Sequence, residues 1–145
     1  MNGVTEALVK SVKNALNAAI GDQIMRFSEL QTVMFEVAQI VNQRPIGRHP
    51  TSAEDGSYLC PNDLLLGRSS AKIPQGPFQE RTSQKIRFEY VQQVVEHFWR
   101  KWTHDYFTGL ILRQKWHVDR TNVKTGDVVL IQESNVVRGE WKMAL

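Results

Sequence analysis

The pattern that most constrains this chain is a long apolar and aromatic stripe in its second half. Ile86, Tyr90, Val91, Val94, Phe98, Trp102 and Tyr106 recur mainly at spacings of three and four, with no proline among them. That spacing predicts one long helix from about Ser83 to Tyr106 with a single apolar face. Eight of the 13 aromatic residues fall between Phe88 and Trp116. Arg87, Arg100, Lys101, Arg113 and Lys115 are interleaved with them. Aromatics between cations can stack bases or line a phosphate backbone. A stripe at helical spacing serves equally as a core or a docking face for protein.

Two shorter amphipathic helices precede it. In the first, Leu8, Val9, Val12, Leu16 and Ile20 form an apolar stripe, and Glu6, Lys10, Lys13 and Asn17 form a polar one. It should run from Thr5 to Ala19. Thr5 would cap it, and Gly21 would stop it. Glu6 falls in the first turn, where the helix dipole favours a carboxylate. By itself the Glu6–Lys10 spacing describes a common solvated i,i+4 pair. In the second helix Ser28 and Gln31 read as a capping box, with Phe27 as a hydrophobic staple. Leu30, Val33, Met34, Val37, Ala38 and Val41 then give an apolar face up to Asn42, and Pro45 ends the helix. Neither helix can make a core alone. The pair should pack together, antiparallel or steeply crossed, and cover a further element such as a sheet.

The remaining segments read as loops, one short helix and two strands. Pro50, Gly56 and the polar residues between them make 46–60 a loop. Pro61 to Leu66 reads as one to two helical turns closed by Gly67. Residues 69–83 carry Pro74, Gly76 and Pro77 and form a second loop. After the long helix, Gly126-Asp127 turns into the β-branched run 128–131. Arg138-Gly139 makes another turn, after which Trp141, Met143 and Leu145 alternate with polar or small residues. Residues 128–132 and 140–144 should therefore pair as an antiparallel hairpin, and two strands are not a stable sheet on their own.

Charge and cysteine content exclude several function classes. The single cysteine, Cys60, rules out an intrachain disulfide framework and reads as a small buried apolar side chain. His49, His97, His104 and His117 lack metal-ligand spacing, which argues against a zinc site. No apolar run approaches the roughly 18 residues of a membrane span, and the N-terminus is not a signal peptide. The expected location is nuclear or cytoplasmic. The net charge of +3 is uneven: residues 68–120 hold ten basic and five acidic side chains, whereas residues 1–67 hold five and seven. The middle of the chain is thus the electrostatic candidate for a phosphate backbone, although a solvated surface has the same composition.

Four motifs stand in one order: Gly3-x-x-Glu6 with Lys10 and Lys13 below it; Asn42-Gln43-Arg44-Pro45-Ile46; Pro61 to Arg68; and Trp99-Arg100-Lys101-Trp102 followed by Val123 to Asp127. Together they resemble the C-terminal part of integrases from Pao/BEL-type long-terminal-repeat retrotransposons. The resemblance implies a mainly α chain with a C-terminal β-hairpin. Residues 1–48 would be the last helices of a ribonuclease-H-like α/β core. Residues 49–83 would be a connector holding the short helix 61–66, and 84–120 a long basic aromatic helix and linker. Residues 121–145 would begin a truncated SH3-like barrel of DUF5641 type.

The same resemblance implies that Glu6 is the third acid of a metal site. Lys10 and Lys13 would approach the DNA end, and Arg100 and Lys101 would also contact DNA. The partners implied are DNA, meaning retroelement ends and target, the remainder of the integrase polyprotein, and an oligomeric partner. Two aspartates of the triad would lie upstream of residue 1. The isolated chain is therefore expected to be inactive, with Mg²⁺ bound only in the complete integrase. The rival reading is a non-catalytic nucleic-acid-binding or protein-interaction module derived from a retroelement.

Overall fold

A computed structural model of the chain describes residues 3–48, 58–67, 83–111, 122–133 and 136–144. In chain order these form α1 (Gly3–Ile20), α2 (Phe27–Asn42), β1 (Gly47–Arg48), β2 (Tyr58–Leu59), α3 (Pro61–Leu66), α4 (Ser83–Leu110), β3 (Val129–Ile131) and β4 (Lys142–Ala144). The described part is mainly helical with two small antiparallel hairpins. Of the expected loops at 46–60 and 69–83, residues 49–57 and 69–82 lie outside the described residues.

Local signals set the helix ends, with two revisions. Gly21, at φ +58°, stops α1, and its N–H donates to the Asn17 carbonyl at 2.9 Å. α1 begins at Gly3, so Thr5 lies inside the first turn and not at the cap. α2 begins at Phe27 with Arg26 at the cap position. The carboxylate reaching back to the cap is that of Glu29, which accepts from the Arg26 backbone N–H at 2.8 Å. Ser28 and Gln31 are therefore not the capping box, and Phe27 is exposed, so it is not a staple. α3 forms as the sequence requires. Pro61 opens it, the Asp63 carboxylate accepts from the Cys60 N–H at 2.8 Å, and Gly67 closes it at φ +67°. Cys60 is buried.

α4 is the axis of the fold. α1 lays Leu8, Val12, Ala15, Leu16 and Ala19 towards the common core, and α2 contributes Val33, Val37, Ile40 and Val41. From α4 come Val91, Val94, Val95, Phe98, Trp99 and Trp102, all buried. α4 packs along both α1 and α2, whereas α1 and α2 meet mainly through α4. The element covering the two helices is thus α4 and not a sheet, because its aromatic face supplies the apolar area that a sheet would otherwise supply.

Polar contacts hold the same arrangement. The Glu29 carboxylate on α2 pairs with the Arg87 guanidinium on α4. The Glu36 carboxylate accepts from Gln92 Nε2 at 2.7 Å and lies 3.3 Å from Arg138 Nη2, which also donates to Gln92 Oε1 at 2.6 Å. This half-buried network joins α2, α4 and the turn before β4. On the far side Asn62 Nδ2 donates to the Gln39 carbonyl at 3.4 Å and ties α3 to α2.

Both hairpins are short. β1 and β2 pair Gly47 with Leu59 and Arg48 with Tyr58, a two-residue ladder at the ends of a stretch that reads in sequence as loop throughout. β3 and β4 pair Val129 with Ala144, Leu130 with Met143 and Ile131 with Lys142, within the expected strands. The strand alternation of Trp141 with its neighbours would suit a face covered by further strands. Instead Trp141 is buried against α4, edge-on to Trp99 at 5.3 Å and to Trp102 at 5.8 Å between ring centroids, and it also meets Tyr106 at 5.4 Å. Edge-to-face contacts at these distances are favourable beyond the area they bury. They give the two-stranded ribbon the support it lacks alone. Gly139, at φ +80°, lets the preceding turn lie against the end of α2, where a Cβ would run into Gln43 Oε1.

Candidate functional site

The residues singled out in the sequence fall on two surfaces. Glu6, Lys10 and Lys13 lie on α1 and are exposed, pointing away from the α4 contact. Positions 6, 10 and 13 share one face because their spacings of four and three nearly complete a turn each. The Glu6–Lys10 ion pair that the spacing permits is not formed. Among the described residues none of the three has a salt-bridge or side-chain hydrogen-bond partner. The same i,i+4 geometry does close on α4, where Arg100 pairs with Glu96 and Lys101 with Asp105, both at 3.0 Å.

Arg100 and Lys101 therefore differ in setting from the α1 lysines. Arg100 stands on the rim of a groove of about 460 Å³ between α4 and the β3–β4 hairpin. The groove has Trp99, Phe107 and Trp141 in its floor. Its rim carries the carboxylates of Glu96, Glu133 and Glu140 against the cations of Arg100 and Lys142. Lys142 is paired with Glu133. Among the described residues the anions of this rim outnumber its cations, which weakens its attraction for phosphate relative to the α1 face. The rings in the floor meet one another, Trp99 and Phe107 both packing on Trp141, and Phe98, Trp102 and Tyr106 stack behind them, so the aromatic stripe serves the core.

Several side chains are tuned by their surroundings, among them a carboxyl, a guanidinium and a hydroxyl. Glu29 is held below the usual carboxylate range, first by the hydrogen bond from the Arg87 side chain and then by that from the Arg26 backbone. Arg87 is raised in return by the same hydrogen bond. Burial pushes the Tyr58 hydroxyl up to about 12. All three groups serve the packing of α2, α4 and β2 and lie apart from the α1 face.

As a metal site the arrangement is incomplete. Among the described residues no three histidine, cysteine, aspartate or glutamate side chains gather in a cluster able to hold an ion. Glu6 offers one carboxylate, and a pair of Mg²⁺ ions requires further oxygen ligands. The residues present do not fit that cofactor alone, and no catalytic step is assigned to them.

The second half of the chain carries a family signature. Residues 86–145 match a family of unknown function (DUF5641). The DUF5641 segment starts within the first turn of α4 and includes β3 and β4, leaving α1, α2 and α3 outside it. It therefore contains the whole aromatic cluster and Trp141, but none of the residues that α1 and α2 pack against that cluster. No curated protein and no solved structure matches the chain. Sequence reasoning missed Glu36, Gln92 and Arg138, the residues that clamp this segment to α2. Their separations of 56 and 46 residues leave no local pattern to find.

Proposed function

We propose that this chain is a DNA-contacting segment of a Pao/BEL-type retroelement integrase, acting through charge and not as a catalyst on its own. One observation carries the reading: Glu6, Lys10 and Lys13 share an exposed face of α1 with no partner among the described residues. Lysines one and two turns along a helix neutralise successive phosphates and release their counterions. A carboxylate at the head of that helix can join a metal site completed by groups from the rest of the integrase polyprotein, which would supply the Mg²⁺ ligands missing here. Arg100 and Lys101 are secondary contacts in this reading, because each is already paired with a carboxylate. No helix among the described residues is long and apolar enough to cross a membrane.

The test is duplex-DNA binding followed by fluorescence anisotropy across a salt series. Affinity should fall steeply with salt, and Lys10→Ala or Lys13→Ala should each flatten the logarithmic slope by about one. Arg100→Ala should change it less. Absence of binding at low salt, or a slope indifferent to both α1 lysines, would refute the reading.

A further inference from the structure

The groove between α4 and the β3–β4 hairpin joins an aromatic floor to an anion-rich rim. Phe107 in the floor is half-buried and lies against Trp141, so ring surface backs an open space of about 460 Å³. That volume is within the range of ordinary ligand sites. Among the described residues the rim holds three carboxylates, Glu96, Glu133 and Glu140, against two cations, Arg100 and Lys142. With His104 counted as neutral, three minus two leaves one net negative charge. The whole chain has a net charge of +3, so the groove has the opposite sign to the molecule that carries it. Neither resident cation closes it. Arg100 and Lys142 keep 71% and 51% of their side chains exposed while paired with Glu96 and Glu133, and ion pairs so exposed are weak. Glu140 is exposed, and the backbone fixes its place: its N–H donates to the Val137 carbonyl at 2.9 Å in the turn made by Gly139.

We infer that this groove takes an arginine side chain from a basic segment of a partner protein. An incoming cation brings the rim to neutrality, whereas an incoming phosphate adds to its negative excess. A cation is also attracted to the faces of aromatic rings. Of the two basic side chains, arginine suits the site better. Its guanidinium is planar and weakly hydrated, so it can lie along a ring while its edge donates to two carboxylate oxygens. A lysine ammonium is a compact, strongly hydrated point charge and gives up more water on entering. The chain uses the same pairing where its own elements meet, in Arg87 with Glu29 and Arg138 with Glu36. The groove is built by α4 and the hairpin, apart from the α1 lysines, and its charge selects a ligand opposite to DNA.

The test is a titration of the full chain against a dye-labelled, end-capped peptide of alternating glycine and arginine, followed by anisotropy. Binding should be saturable and one-to-one, with a dissociation constant below about 1 mM. The same peptide with citrulline for arginine keeps the shape without the charge and should bind at least about tenfold more weakly. The lysine version should fall between the two. Glu140→Gln should weaken the arginine peptide about tenfold. Arg100→Gln and Lys142→Gln should each tighten it about threefold, because each releases a carboxylate from its resident cation. All three side chains are exposed, so circular dichroism and melting temperature should not change. No saturable binding, equal binding of the citrulline or lysine peptide, indifference to Glu140→Gln, or weakening by Arg100→Gln would each overturn the inference. Lys10→Ala and Lys13→Ala should leave peptide binding as it is, and Glu140→Gln should leave the salt slope of DNA binding as it is, so each reading fails separately from the other.

Discussion

α1 and α2 are similar helices with opposite exteriors. They have 18 and 16 residues, and both lay an apolar stripe on α4. α1 keeps its ionisable groups Glu6, Lys10 and Lys13 in solvent, without partners among the described residues. α2 turns its only ionisable groups, Glu29 and Glu36, towards α4 and leaves aromatic and aliphatic side chains outside. The difference is one of where specificity is stored. α1 is held by small apolar side chains such as Ala15 and Ala19 and can present charge outward. α2 is oriented by charged hydrogen bonds made inward, which removes charge from its exterior. The first exterior suits a polyanion and the second suits another apolar face.

The largest perturbation should remove both exteriors at once. Trp102 is fully buried and stacks on Phe98 at 6.0 Å and Tyr106 at 5.3 Å. Trp102→Ala should cost about 3–5 kcal/mol. Calorimetry should show one cooperative transition moved to lower temperature. Separate melting of α1 and α2 would show that they do not depend on a common support.

A smaller effect should fall on α2 and the hairpin alone. Arg138→Ala leaves Glu36 and Gln92 without their shared partner, and truncation of one member of a half-buried network costs about 1–3 kcal/mol. Hydrogen exchange should quicken in α2 and β4 before it does in α1. Uniform quickening in all three would break the comparison.

Acid should act on α2 more gently. The folded state holds Glu29 below its ordinary range, so its contribution to stability is fully present above the unfolded glutamate value. It is lost as pH falls through the folded value. The melting difference between the native chain and Glu29→Gln should therefore be present at neutral pH and close progressively below about pH 4. A constant difference would show that the Arg87 contact does not distinguish the two forms of the carboxyl. The smallest effect belongs to α1: Lys13→Ala should change stability by no more than about 0.5 kcal/mol, as an exposed side chain without a partner among the described residues. A larger loss would show that the α1 face is held by contacts within the chain.

Sequence alone determined the helices, the C-terminal hairpin and several of their ends, because those signals are local; it missed the β1–β2 pairing and the residues that cap α1 and α2. The 3-and-4 spacing marks α1, α2 and α4. Gly21 and Gly67 stop helices where a positive φ is required, Pro61 starts α3, and the Arg138-Gly139 turn precedes β4. The buried status of Phe98, Trp102 and Cys60 was also legible, since their size and polarity leave few alternatives. Only the tertiary structure decided which part of α2 faces inward. Its apolar residues span more than half of the helix circumference. Val33, Val37 and Val41 went inside, and Leu30 and Met34 stayed outside, because Glu29 and Glu36 found Arg87, Gln92 and Arg138 on the inner side. Trp141 likewise docks on α4 and not on further strands, through ring contacts between residues 34 to 42 positions apart in the chain. Periodicity names the residues a helix can bury; the partner that approaches it selects among them.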